Sequence, residues 1–158
     1  MERPMFDTIL GLPLHPLVVH AVVVLGPLAA VLLILYAVVP ALRACLRVPL
    51  LVLSAIAAVS GFVAQEAGEA LEHLTHEPGF DHAAKGDRAF IALLVLFLAT
   101  LVVIGLGRPR PAPPRTPIVA VIALLAAAFA LYAVAMAGHS GAKAVWSDTL
   151  SSAPAAAP

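Results

Sequence analysis

Four times along this chain, apolar residues run almost unbroken for close to the width of a bilayer, and the polar residues gather between those runs. A hydrocarbon core about 30 Å thick needs roughly 20 apolar residues per helix. The runs are Leu17 to Val39, Val48 to Ala64, Ala89 to Leu106 and Ile118 to Gly138. Pro16, Pro49 and Pro117 fall at first-turn positions, where a missing N–H does no harm, Thr116 is placed to act as an N-cap, and Pro40 stops the first helix. With their polar continuations the helices are expected over about 17–39, 48–72, 81–106 and 117–146. An interfacial segment, 1–16, precedes them and a disordered Ala/Pro tail, 147–158, follows. The first run is too long for a signal-peptide core and lacks a basic n-region and a small-residue cleavage site, so it is read as retained.

Short connections between the first and second helices, and between the third and fourth, predict antiparallel neighbours. The expected fold is therefore all-α: an integral membrane four-helix bundle running up-down-up-down. Short loops rich in Lys and Arg stay cytoplasmic, and Arg43, Arg47, Arg108, Arg110 and Arg115 fall in those two connections. Both termini, and the acidic loop after the second helix, are then extracytoplasmic.

Composition narrows the field further. Of 158 residues, 62% are hydrophobic and 11% charged, which excludes an ordinary soluble globule. Nine basic and nine acidic residues cancel, leaving no basic face for a nucleic-acid backbone. The single cysteine, Cys45, cannot supply an internal disulfide, a four-Cys metal site or the paired thiols of a c-type haem attachment. Any metal or haem must use His, carboxylate or Met. No Ser-His-Asp order or phosphate-binding Gly loop is present to support catalysis, and the absence of charge at mid-membrane depth argues against solute transport.

Small residues recur at helical spacing in the second helix (Ala57, Gly61, Ala64, Gly68) and the fourth (Ala123, Ala127, Ala130, Ala137, Gly141). Such faces let membrane helices approach closely; they could also make room for a flat cofactor. Pro27, after Gly26, removes the partner of the Val23 carbonyl and can kink the first helix.

Six histidines in so apolar a chain are the main functional clue: His15, His20, His73, His76, His82 and His139. All map to the outer side, and at 1.5 Å per residue His15, His20, His73, His82 and His139 are expected in a band roughly 10 Å tall at that interface, within reach of side chains from four helices. His20, one turn into the first helix, and His139, near the outer end of the fourth, qualify best as ionisable groups inside a span. The alternative for each is a bond to a nearby carbonyl that anchors a helix end. His15, between Leu14 and Pro16, suits capping or anchoring as well as ligation. A second constellation, Glu69, Glu72, His73 and His76, has i, i+3 and i, i+4 spacings that share a helix face and could hold zinc or copper; a solvated polar turn is its plain alternative.

Gly11-Leu-Pro-Leu-His15-Pro16-Leu-Val-Val-His20, then Asp81-His82, then Gly138-His139-Ser-Gly141-Ala142, resemble the bacterial membrane family called domain of unknown function 2231. The resemblance runs from about Gly11 to Trp146, and its His-Pro-x-x-x-His opening is the most specific part. It implies a four-helix protein of the bacterial cytoplasmic membrane, with His15, His20, His82 and His139 as the matching positions. Because some members are fused to Rieske or cytochrome c modules, it also implies redox partners outside the membrane.

Three functions follow as expectations. The first is haem b held by imidazoles from different helices, with His20 and His139 as the axial pair and His82 or His15 as substitute or supporting partner. No histidine lies near the cytoplasmic ends, so such a haem would exchange electrons with an extracytoplasmic protein or with quinone. The second is a Zn- or Cu-binding membrane protein using His20, His82 and His139, or Glu69, His73 and His76. The third is a cofactor-free structural or assembly subunit.

Overall fold

A computed structural model of the chain describes residues 8–9, 12–75, 80–105 and 117–152. Four long helices account for nearly all of them: α1 (Leu14–Val38), α2 (Arg43–Thr75), α3 (Phe80–Gly105) and α4 (Pro117–Ser152). Extended backbone among the described residues is limited to a two-residue antiparallel pair, in which Thr8 faces Pro13 and Ile9 faces Leu12. All four helices are long and apolar enough to cross a membrane. At 33 and 36 residues, α2 and α4 exceed the roughly 20 that hydrocarbon requires.

Each helix packs on the next and α4 returns to α1, while the diagonal α1–α3 contact is slight. The result is a four-membered ring of helices around one seam. Alanine dominates that seam: Ala29, Ala30, Ala57, Ala92, Ala123, Ala127 and Ala130 are fully buried beside Leu33, Leu50, Leu93 and Leu96. Large side chains point the other way, with Val48, Leu125 and Tyr132 each about two-thirds exposed. In water this distribution would be unfavourable by the usual apolar-area rule. In lipid it is the expected one, because association there rests on close backbone approach between small residues while bulky chains meet acyl tails.

Leu93 shows how tightly the seam is closed. A Cβ added to Gly26 of α1 would stand 2.9 Å from Leu93 Cδ2, and one added to Gly61 of α2 would stand 3.0 Å from Leu93 Cδ1. The small-residue face of α2 is thus filled by α3, and Ala64 and Gly68 further along it receive His15 of α1.

Helix ends follow the prolines with one exception. α1 stops at Val38, and a 3-10 turn, Pro40–Leu42, leads directly into α2. Arg43 seals the join: its Nε donates to the Tyr36 carbonyl (3.1 Å) and its Nη2 to that of Ala37 (3.0 Å), satisfying acceptors that the last turn of α1 leaves open. Since Arg43 already has helical torsions, α2 begins there and not at Val48, and Pro49 becomes its seventh residue instead of a first-turn residue. The carbonyl that loses its N–H partner belongs to Cys45, which is exposed, so an early proline is tolerated. At the other extreme α4 runs on to Ser152, past the start of the expected tail at 147. Thr116, the proposed N-cap of α4, lies outside the described residues.

Buried hydroxyls are satisfied within their own helices. Ser54 Oγ donates to the Leu51 carbonyl (3.2 Å), Thr100 Oγ1 to that of Leu96 (2.9 Å) and Ser140 Oγ to that of Ala137 (2.9 Å). This back-bonding is how hydroxyls reside in apolar helices without a partner chain.

Candidate functional site at the histidine-bearing end

His15 and His20 open α1, five residues apart on a helix whose flanks are almost wholly apolar. Five residues turn the helix by about 140°, so the two rings leave α1 on different sides. His15 is half-buried and reaches across to α2, where its Nδ1 lies 2.8 Å from the Ala64 carbonyl oxygen. Gly68, one turn further on, lies beneath the ring; a Cβ there would meet His15 Nδ1 and Cε1 at 3.1 Å. His20 is exposed, and its Nδ1 lies 2.6 Å from the carbonyl oxygen of Pro16, four residues back in the same helix.

The chemistry of these contacts fixes the tautomers. A carbonyl oxygen only accepts, so each bond requires the proton on Nδ1. In a neutral imidazole Nε2 then carries the lone pair. Ligating histidines are oriented in this way, with one ring nitrogen donating to a backbone carbonyl and the other turned to the metal.

His139 is exposed on α4, one residue before the buried Ser140. His82 stands in the first turns of α3 and His73 near the end of α2, but their side chains, with that of Glu72, lie outside the described residues, as does His76 altogether. Glu69 is exposed on α2. Among the described residues no three His, Cys, Asp or Glu side chains come together. The contact from His15 to α2 is the feature that sequence reasoning weighed least. Its only signal was the small pair Ala64 and Gly68, one helical turn apart and both able to admit a ring.

Fold, hydropathy and inverted core together define the class: a four-helix membrane protein. Residues 11–154 match the model of the family described as "Predicted membrane protein (DUF2231)", and the chain belongs to that family. No curated protein and no solved structure matches it.

Proposed function

We propose that the protein is a subunit of the bacterial cytoplasmic membrane that holds haem b at its outer end for electron transfer, its helices antiparallel and both termini outside. The observation that carries this reading is the state of the His20 ring: Nδ1–H given to the Pro16 carbonyl, Nε2 left as the ligand atom, and the ring exposed on the helix. His139 is the second ligand in this proposal. Gly26 and Val134 mark where α1 and α4 meet, since a Cβ on Gly26 would lie 3.4 Å from Val134 Cγ2. In antiparallel helices His20 rises about 9 Å from that level and His139 about 7.5 Å, at 1.5 Å per residue. The two exposed imidazoles thus stand at similar heights on neighbouring helices. His15 supports the site by pinning the start of α1 to α2, and His82 is an alternative ligand from α3.

Space decides where the group would lie. Leu93 fills the seam between α1, α2 and α3, so in this reading the macrocycle would be held outside that seam, between the imidazoles of α1 and α4, with lipid or another chain on its far side. Haem supplies a one-electron couple whose potential depends on axial ligands, burial and nearby hydrogen bonds. The chain's own part is to fix the tautomers and hold the imidazoles at the interface. An extracytoplasmic Rieske or cytochrome c type protein, or quinone, is the electron partner in this reading. Arg43 and Arg47, at the start of α2 next to the α1–α2 turn, support the orientation by the positive-inside rule.

The same imidazole geometry suits zinc or copper, which makes a Zn- or Cu-binding protein the second reading, with Glu69, Glu72, His73 and His76 as a further site. The test is an oxidised and reduced absorption spectrum of detergent-purified protein, with elemental analysis of the same sample. A Soret band with sharp reduced α and β bands, lost in His20→Ala or His139→Ala while helicity is kept, supports haem. A colourless sample with stoichiometric zinc or copper moves the function to the second reading. Neither would leave a structural or assembly subunit whose imidazoles only anchor helices.

A further inference from the structure

Between α3 and α4, about one helical turn along from His82 and His139, a small cavity of about 40 Å³ is lined by Lys85 and Arg88 from α3 and by Phe129, Tyr132, Ala133 and Met136 from α4. We propose that this groove binds the phosphate of an anionic phospholipid, with one acyl chain lying along Phe129 and Met136. The proposal requires only that the helices span the membrane and is independent of any cofactor.

Three observations carry it. Lys85 and Arg88 are three residues apart, so both project over the same groove, and Arg88 is exposed. They stand at the polar end of the span Ala84–Gly105, where long cationic side chains hold their charge at headgroup level while their stems stay in hydrocarbon. Below them the wall is aromatic and apolar, with Phe129 and Tyr132 both exposed on the outer surface of α4. A basic rim over an apolar floor, open sideways to the bilayer, reproduces the polarity of a phospholipid from headgroup to chain. Basic pockets between membrane helices hold lipid headgroups on this principle, and an exposed tyrosine belongs at the interface.

Charge around the groove favours lipid over a dissolved anion. Described carboxylates at the same ends of α2 and α3 are Glu66, Glu69 and Asp87, of which Glu69 and Asp87 are exposed. An anion arriving from solution meets that acidic surface first; a lipid arrives from the side, beneath it.

The experiment follows the thermal midpoint of the detergent-solubilised full chain titrated with phosphatidylglycerol, phosphatidylcholine or inorganic phosphate. Phosphatidylglycerol is expected to stabilise at lower concentration than phosphatidylcholine. Arg88→Gln and Lys85→Gln should each weaken its apparent affinity about fivefold, as expected for one cation at a membrane surface, whereas Arg88→Lys should largely retain it. Arg47→Gln, an exposed cation beside the α1–α2 turn, should behave as wild type. Equal response to the two lipids, or equal loss in Arg47→Gln, overturns the proposal. A midpoint shift reproduced in full by inorganic phosphate overturns the lipid assignment.

Discussion

His15 on α1 and Ala64 on α2 are joined by a side-chain to backbone hydrogen bond of 2.8 Å that crosses between two membrane helices. An interhelical bond of this kind contributes on average about 0.6 kcal/mol, and up to about 1.7 kcal/mol, in membrane proteins. It also fixes the rotation of α1, because a helix that is apolar on every side has no polar stripe to do so. His15→Ala should therefore lower stability by about 1 kcal/mol, read as a fall in thermal midpoint. Gly68→Val tests the same contact from the other side: the added carbon starts 3.1 Å from the ring, and the loss should at least equal that of His15→Ala. Gly138→Ala, where a Cβ meets nothing within 4 Å, is the control. Equal midpoints for Gly68→Val and the control would remove the structural role assigned to His15.

Leu93 is held from two sides, by Gly26 through Cδ2 and by Gly61 through Cδ1. A leucine tip can ordinarily move a few tenths of an ångström to admit a methyl group. Here movement away from one glycine is blocked by the other, and Phe90 Cα stands 3.5 Å from the added carbon at Gly61. Gly26→Ala and Gly61→Ala should each cost about 1–3 kcal/mol, the usual range for overpacking. Leu93→Val in the Gly26→Ala background should recover part of that loss, and a double-mutant cycle measures the coupling. Strict additivity would show that Leu93 is not the clashing group.

Legibility in the sequence was uneven, for physical reasons. Span number and approximate placement followed from hydropathy, since the cost of polar groups in hydrocarbon is large and depends little on neighbours. Small-residue spacing also located faces that the fold buries, such as Ala57, Gly61 and Ala64. Pro49 lies beyond the first turn of α2 because a 3-10 turn joins α1 to α2 and starts the second helix earlier than its apolar run. At the histidines the limit was rotational: with α1 uniformly apolar, spacing alone could not tell that His15 turns toward α2 while His20 faces outward. Short connections made α1–α2 and α3–α4 legible as neighbours, whereas the α2–α3 and α1–α4 contacts depend on packing across the seam, carried by residues such as Leu93 that have no signature in their own segment.

Arg43 closes the opposite end of α1 by donating to the Tyr36 and Ala37 carbonyls. Both are last-turn acceptors, where a cation also meets the negative end of the helix dipole. Arg43→Gln should weaken these bonds by about 1–2 kcal/mol, in the range for charged hydrogen bonds. Hydrogen exchange would report it locally, as faster exchange around the 3-10 turn and the start of α2. Arg43→Lys keeps the charge but not two parallel donors, so intermediate protection is expected. Unchanged exchange in Arg43→Gln would show that the turn holds without the guanidinium.

Cys45 gives access to the orientation of the whole bundle. It is exposed, lies with Arg43 and Arg47 at the start of α2, beside the short α1–α2 connection, and is the chain's sole thiol, so labelling reports one position without engineered cysteines. Its Sγ donates to the Leu42 carbonyl at 3.1 Å, a weak bond that leaves the sulfur reachable from water. With this connection cytoplasmic, a membrane-impermeant maleimide should fail to label intact spheroplasts and should label them once the membrane is permeabilised. Because four spans return the chain to the side where it began, labelling at this one site also fixes both termini and the side of His15, His20 and His139. Ready labelling of intact spheroplasts would place the histidine-bearing end in the cytoplasm, and a haem or metal there would have to exchange with cytoplasmic partners.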